Sequence, residues 1–352
     1  MDDPLKQLRD RIDRLDDDLL RLLNERARLA QDVGRLKEGS VYRPEREAQI
    51  LQRLRVANGG PLSGETVGRL FSEIVSACRA LEQPVSVAYL GPPGTYSEEA
   101  AQRRFGSSAL MAPCASIDEV FREVEAGVVG YGLVPVENST EGAIGRTLDL
   151  LLATTLKVCG EVPLPIHHAL LSQTPDLASV IKVYAHPQSL GQCHEWLSQN
   201  LTRVTRAQAA SNAEAARLAS QEAGAAAIAS RRAAALFGLQ VLAENIEDDP
   251  RNTTRFLVIG NQDVGPSGRD KTSLVMSAQN RPGAVHDLLA PFSRNGVSMT
   301  RLESRPSRTG LWEYVFFVDI EGHQQDERVA RALAEMRERA AFLKVLGSYP
   351  AA

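Results

Sequence analysis

The sequence predicts a multidomain chain: an all-α segment, then an α/β segment, then a βαββαβ segment. Three observations carry that reading. Residues 1 to about 83 place apolar residues at helical spacing and read as helix only. Residues 85 to about 262 alternate short apolar runs with helical stretches. The remainder reads as strand 272–278, helix 283–294, strand 297–305, strand 312–320, helix 325–339 and strand 342–348, the order of a ferredoxin-like split βαβ. Before it lies "NQDVGPSGRD" (261–270), polar and marked by Gly and Pro, a linker candidate.

Bulk properties narrow the function class. The 352 residues carry 43% apolar and 24% charged side chains, ordinary for a globular protein. A net charge of -4 argues against a general nucleic-acid binder. No apolar run approaches the ~18 residues of a membrane span. The acidic start "MDDPLKQLRD" lacks the apolar core of a signal peptide. Cys78, Cys114, Cys159 and Cys193 are far apart in sequence, which reads as reduced thiols in a cytoplasmic protein. His167 and His168 are adjacent and would point to opposite faces of a strand, so no metal-ligand cluster is expected, nor any cofactor.

The first helix carries a seam of Leu8, Ile12, Leu15, Leu19, Leu22, Leu29, Val33 and Leu36, with spacings of four and three. The seam position between Leu22 and Leu29 is Arg26. A buried unpaired guanidinium costs several kcal/mol, so Arg26 either snorkels out or meets an anion. Lys37 lies about three turns further on and shares its face. Arg9 sits about 100° around the helix and roughly 25 Å away along it. It cannot join Arg26 and Lys37 within one chain, but an antiparallel second copy could supply it. The next helix, "RPEREAQILQRL", has Pro44 near its first turn and carries Arg46 and Glu47. The third, "SGETVGRLFSEIVSACRALEQ", has a stripe of Val67, Phe71, Ile74 and Cys78 whose next member is Glu82. Glu82 marks either the helix end or a working carboxylate on an apolar face.

These segments resemble the all-helical chorismate mutase family, through "LRDRID", "NERARLAQDVGRLK", "RPERE" and the Cys78–Glu82 spacing. The resemblance implies an intertwined homodimer, or a higher homo-oligomer, converting chorismate to prephenate. That reaction is a unimolecular rearrangement, so the site must fold the substrate and stabilise charge on the breaking ether oxygen. By resemblance Arg9 of a second copy and Arg26 hold the carboxylates. Lys37 and Glu82 address the ether oxygen, Glu82 when protonated. Glu47, with Arg46 beside it, holds the ring hydroxyl, and Cys78 borders the site.

In the middle segment "GPPGTYSEEAA" is a tight turn in which Thr95 or Ser97 can cap the following helix, a site suited to an anion. "VENSTEG" repeats the arrangement: a strand ends at Glu137-Asn138, and Ser139-Thr140 are expected to open a helix. "HPQSLGQC", with Gln188 and Gln192, and "ASNAEAA", with Ser211 and Asn212, are two more such junctions. Helix starts converging on one cleft would suit a small carboxylate ligand. "NTTRFLVIG" is a strand that opens with Thr254, sharing a face with Phe256 while Arg255 points the other way. The Ala-rich "EAGAAAIASRRAAALFG" reads as a tightly packed strand–helix pair. The G-x-G-x-x-G fingerprint of a dinucleotide fold is absent from this segment.

From "VAYLGPPGTYSEEAA" through "VPVENSTEG" and "HPQSLGQC" to "NTTRF", the segment closely resembles prephenate dehydratase. This implies two α/β lobes around a cleft, similar to periplasmic ligand-binding proteins, and conversion of prephenate to phenylpyruvate with loss of water and CO2. Hydroxide leaves poorly, so a proton donor is needed on that oxygen. By resemblance Thr254 is that donor or positions it, with Thr95, Ser97, Glu137, Asn138, Ser139, Thr140 and Gln192 as substrate-binding groups. The tail motifs "RPGAVHDLL" and "LESRPSRTGLWEY" resemble the ACT domain of these dehydratases. Gly283, Ala284 and Val285, with Glu303, Ser304, Arg305 and Pro306, would bind phenylalanine between subunits. The expected boundaries are 1–84 for the mutase, 85–263 for the dehydratase and 270–352 for the ACT domain. The rival reading is a non-catalytic amino-acid sensor with a binding cleft and an ACT domain.

Overall fold

The structure, a computed structural model, describes residues 3–36, 39–278, 281–306 and 314–352. Packing divides the chain into two units, Met1–Val85 with Phe105–Leu110, and Ser86–Arg104 with Met111–Ala352.

The first unit holds α1 (Pro4–Leu36), α2 (Pro44–Ala57) and α3 (Gly64–Glu82). The expected single long helix is α1, whose 33 residues reach about 50 Å. Pro44 opens α2, and Ser63 caps α3 by accepting from the backbone N–H of Thr66 at 3.1 Å. No residue of α1 is buried. The apolar seam stays largely bare, Ile12 at 56% exposure being typical. A 3.5-residue apolar period on an exposed helix is the pattern of a surface built for another helix.

The second unit begins with β1 (Ser86–Leu90), α4 (Tyr96–Phe105), β2 (Leu110–Cys114), α5 (Ile117–Glu125), β3 (Tyr131–Asn138), β4 (Gly142–Ala143), α6 (Gly145–Ala153) and β5 (Lys157–Pro165). A second lobe follows, with β6 (Ala169–Ser172), β7 (Lys182–Ala185), α7 (Pro187–Gln192), α8 (His194–Asn200), β8 (Thr205–Gln208), α9 (Asn212–Ala219), β9 (Ala225–Ala229), α10 (Arg231–Phe237) and β10 (Gln240–Ala243). The chain then returns to the first lobe as β11 (Thr253–Gly260). The first sheet has the order β2-β1-β3-β11-β5, with β4 on β3, and the second has the order β10-β6-β9-β7-β8. The Ala-rich stretch is β9 and α10, as expected, and every residue of β9 is buried. Ala225, Ala227 and Ala229 share one buried cluster with alanines of α9 and α10.

The tail forms β12 (Asp270–Ser277), α11 (Ala284–Arg294), β13 (Met299–Pro306), β14 (Tyr314–Glu321), α12 (Glu327–Arg337) and β15 (Phe342–Pro350), the βαββαβ order expected. Its sheet runs β13-β14-β12-β15, antiparallel throughout. It shares a core with the first lobe: Val275, Phe317 and Leu346 pack in one cluster with Leu148, Leu151 and Val158. β15 lies so close to β5 that a Cβ on Gly347 would sit 2.2 Å from the Val158 carbonyl oxygen. The stretch 261–270 is correspondingly anchored: Val264 is buried, and its carbonyl accepts from His323 Nε2 at 2.9 Å.

Candidate active sites

In the helical unit, Arg26 is half-buried and its Nη1 has no hydrogen-bond partner; Glu82 Oε2 is likewise buried and unpartnered. Unsatisfied charged atoms of this kind are expensive unless a ligand completes them. Gly34 lets the α3 end approach α1, since a Cβ there would meet Glu82 Cγ at 2.9 Å. A glycine inside a helix costs about 1 kcal/mol relative to alanine, and close approach of the carboxylate accounts for it here. Cys78 is buried, and Arg9 and Arg46 are exposed. Glu47 turns inward to an ion pair with the buried Arg79, whose Nη2 donates to the Phe105 carbonyl at 2.6 Å. Sequence reading missed Arg79, because its partners lie 26 and 32 positions away. Lys37 lies outside the described residues.

In the second unit a cavity of about 570 Å³ opens between the lobes. Helix starts line it as expected: Thr95, Tyr96 and Ser97 at α4, His186, Gln188 and Ser189 at α7, and Ser211 and Asn212 at α9. Thr95 Oγ1 accepts from the N–H of Glu98 and donates to the Leu90 carbonyl at 3.0 Å. Ser211 caps α9. The fourth expected helix start is not one. Ser139 and Thr140 lie in a turn before β4, because Asn138 Oδ1 captures the backbone N–H groups of Thr140 (3.0 Å) and Glu141 (3.2 Å). Asparagine after a strand favours such a side-chain turn over a cap.

That turn fixes the chemistry of Thr254. Strand register pairs Thr254 with Asn138 across β11 and β3, and both side chains reach the cavity. Backbone donors at Asn138 Oδ1 force its Nδ2 to the other side. There it donates to Thr254 Oγ1 and to Asn252 Oδ1, each at 2.9 Å. Both amide protons are then used, and the proton of Thr254 has no acceptor among the described residues. Thr140 Oγ1 lies 2.6 Å from Asn138 Oδ1 and must donate to it. It therefore accepts from Gln192 Nε2 at 3.1 Å, which turns Gln192 Oε1 to His168 Nε2 at 3.0 Å. His168 Nε2 must carry a hydrogen. Burial lowers the His168 pKa, so the ring is neutral, with Tyr96 OH 2.9 Å from its Nδ1. The cavity thus presents a hydroxyl donor from Thr254 beside the amide of Gln192. Tyr96, His168 and Asn252 completed the set unseen; the "HH" dipeptide was visible, but the chain between β5 and β6 turns His168 inward and leaves His167 on Glu247 (2.8 Å).

Glu137 is the correction in this set. It is not part of the cavity wall; its Oε2 lies 2.9 Å from Arg301 Nε on the opposite face of the sheet. Strand alternation sends it away from the cavity whenever Asn138 faces in. Ser139 is a backbone clamp, accepting from the N–H of Thr253 at 3.0 Å.

Family models match as chorismate mutase type II over residues 8–83, prephenate dehydratase over 87–264 and ACT domain over 272–338. A bifunctional chorismate mutase/prephenate dehydratase of Stutzerimonas stutzeri is 53% identical, over 99% of this chain and 98% of its own. The chain belongs to the bifunctional chorismate mutase/prephenate dehydratase family. The Aquifex aeolicus member is 45% identical over 99% of this chain and 98% of its own. Among solved structures, a prephenate dehydratase from Arthrobacter aurescens in complex with L-Phe has a TM-score of 0.70 at 33% identity, covering 76% of this chain and 90% of that one.

In the ACT part of this family architecture, Gly283 takes a left-handed conformation (φ +78°) at the start of α11, followed by Ala284 and the exposed Val285. Glu303, Ser304, Arg305 and Pro306 lie on β13. Among the described residues no hydrogen bond or ion pair joins these two motifs. Arg305 is engaged instead with Asp149 of α6 at 3.2 Å, beside a pocket of about 330 Å³. Residues 307–313, which follow this motif, lie outside the described residues.

Proposed function

We propose that this chain catalyses two consecutive steps, chorismate to prephenate and prephenate to phenylpyruvate, with L-phenylalanine as feedback inhibitor. We assign the mutase to 1–84, the dehydratase to 85–263 and the ACT domain to 270–352, a division supported by family-model matches over 8–83, 87–264 and 272–338. The observation that carries the dehydratase reading is the Asn138–Thr254 pair. An amide that can only donate to Thr254 leaves the threonine proton directed at a ligand. In the dehydration that proton goes to the departing ring hydroxyl, which leaves as water while the ring carboxylate leaves as CO2. Aromatisation drives both losses, so a weak acid suffices when it is pre-oriented. Gln192 and the starts of α4 and α9 receive the remaining carboxylate and carbonyl oxygens.

The mutase reading rests on the unpartnered Arg26 Nη1 and Glu82 Oε2. Arg26 binds a substrate carboxylate, and Glu82 with Lys37 meets the ether oxygen. Arg9 comes from a second copy whose helix covers the bare seam of α1, so the working form is at least a homodimer. Glu47, oriented by Arg79, remains available to the ring hydroxyl through its second oxygen. Among the described residues no helix is long and apolar enough to cross a membrane, which agrees with a cytoplasmic biosynthetic enzyme.

Arg26→Ala tests the division of labour. It should abolish the disappearance of chorismate and leave turnover of supplied prephenate nearly intact. Parallel loss of both activities in a folded variant would count against two sites.

A further inference from the structure

The two residues beside the Asn138–Thr254 pair are both held by the C-terminal sheet. Register pairs Arg255 with Glu137 directly next to Thr254 with Asn138. Alternation then sends one pair into the cavity and the other to the far face. On that face Arg255 donates from Nη1 to Asp319 of β14 at 2.5 Å and from Nη2 to the Tyr349 hydroxyl of β15 at 3.0 Å. Its Nε donates to Glu161 of β5 at 2.8 Å. Glu137 Oε2 lies 2.9 Å from Arg301 Nε of β13, an ion pair by proximity and not a hydrogen bond, and 4.0 Å from Arg255 Nη1, so the charges form one cluster. Asp319 is itself pinned, since Ser273 Oγ of β12 donates to its other oxygen at 2.5 Å.

We propose that Asp319 and Arg301 of the C-terminal domain are positioning residues of the dehydratase site, holding the Asn138–Thr254 pair from behind through Arg255 and Glu137. On the β5 side the register of β11 is unbroken from Thr253 to Val258, but on the β3 side, where Asn138 sits, it is not. The β11–β3 register shifts between Arg255 and Phe256, one residue past Thr254. A bulge re-aims the side chains around it and leaves part of the strand without ladder support. A guanidinium gripped at three nitrogens by groups on β5, β14 and β15 adds a constraint at that break. The cluster is well shielded from water: the side chains of Asp319, Arg255 and Arg301 are 6%, 16% and 11% exposed. Small displacements are therefore transmitted, not absorbed by solvent. A shift of the C-terminal sheet, whatever its origin, would reach Thr254 through one residue of strand. The effector then has a direct mechanical route to the reacting group.

This inference rests on the dehydratase reading, which turnover of prephenate by the unmodified chain tests alone. The test uses full-length Asp319→Asn and Arg301→Gln, each made also in a Thr254→Val background. Displacing a catalytic group by about 1 Å can cost about 10²-fold, so dehydratase kcat should fall about tenfold to a hundredfold. KM for prephenate and the mutase rate should hold. In the Thr254→Val background the same changes should cost almost nothing further, because they act through the group already removed. Unchanged kcat with a lowered Tm would overturn the proposal, leaving the cluster as a domain fastener. So would an equal fold-loss in both backgrounds. If Asp319→Asn does not fold, Arg301→Gln decides alone, since its partner Glu137 is 38% exposed and tolerates loss of the pair.

Discussion

Asn138→Asp changes one atom and should reverse the hydrogen-bond direction that the proposed dehydration requires. Three acceptor contacts of Oδ1, to Thr140 N, Thr140 Oγ1 and Glu141 N, survive unchanged. The other oxygen replaces a donor that faced Thr254 Oγ1 and Asn252 Oδ1. Asn252 can accommodate the change by rotating its amide, because its own Nδ2 is buried and unpartnered. One exchanged hydrogen bond costs the fold about 1 kcal/mol, and desolvation of the new charge at a position only 5% exposed adds to that loss. Chemistry fares worse. Thr254 now donates to the introduced carboxylate and no longer to the substrate. Removal of one pre-oriented donor costs about 10²- to 10³-fold in kcat, roughly 2.7–4 kcal/mol. The added charge also repels a dianionic substrate, by about 4 kcal/mol at 4 Å and an effective dielectric of 20, so KM should rise. The assay is phenylpyruvate formation from supplied prephenate, with the mutase rate on the same sample as the fold control. Near-normal kcat in this variant would show that the direction of the Asn138–Thr254 hydrogen bond is irrelevant to turnover.

Two further outcomes concern the other sites. Glu82→Gln should keep mutase activity and flatten its pH profile, since an amide donates without titrating; an unchanged profile would remove Glu82 from the ether oxygen. Gly283 replaced by valine should weaken phenylalanine inhibition with little change in basal dehydratase kcat, because a β-branched residue cannot hold φ +78° without strain; inhibition at the original phenylalanine concentration would place the effector elsewhere.

Much of the architecture was legible because it rests on local signals. The α1 seam, the βαββαβ tail and three of the four helix starts follow from periodicity and capping residues alone. The failures share one physical cause, competition from contacts remote in sequence or from side chains that bond their own backbone. Ser139-Thr140 reads as a cap, but Asn138 one step earlier takes the free N–H groups first. Glu137 sits beside a cavity residue in sequence and opposite it in space. Arg79 and Arg255 look like surface charges until Glu47, Asp319 and Tyr349 come to meet them. The polar stretch 261–270 resembles a linker, yet the sheets on either side close over one core. Removing residues 268–352 would strip that core, so point variants are the better probes of regulation.

The central claim is that one chain carries two sites acting in sequence, with Thr254 serving only the second. Chorismate supplied to the full-length protein tests it, with chorismate, prephenate and phenylpyruvate all quantified over time. The unmodified protein should convert chorismate through to phenylpyruvate. Thr254→Val, which keeps the β-branched shape and removes only the hydroxyl, should consume chorismate at the normal rate and accumulate prephenate, with phenylpyruvate formed about 10²-fold more slowly or less. Phenylpyruvate at the unmodified rate from the valine variant, or chorismate left untouched by the unmodified protein, would contradict the account.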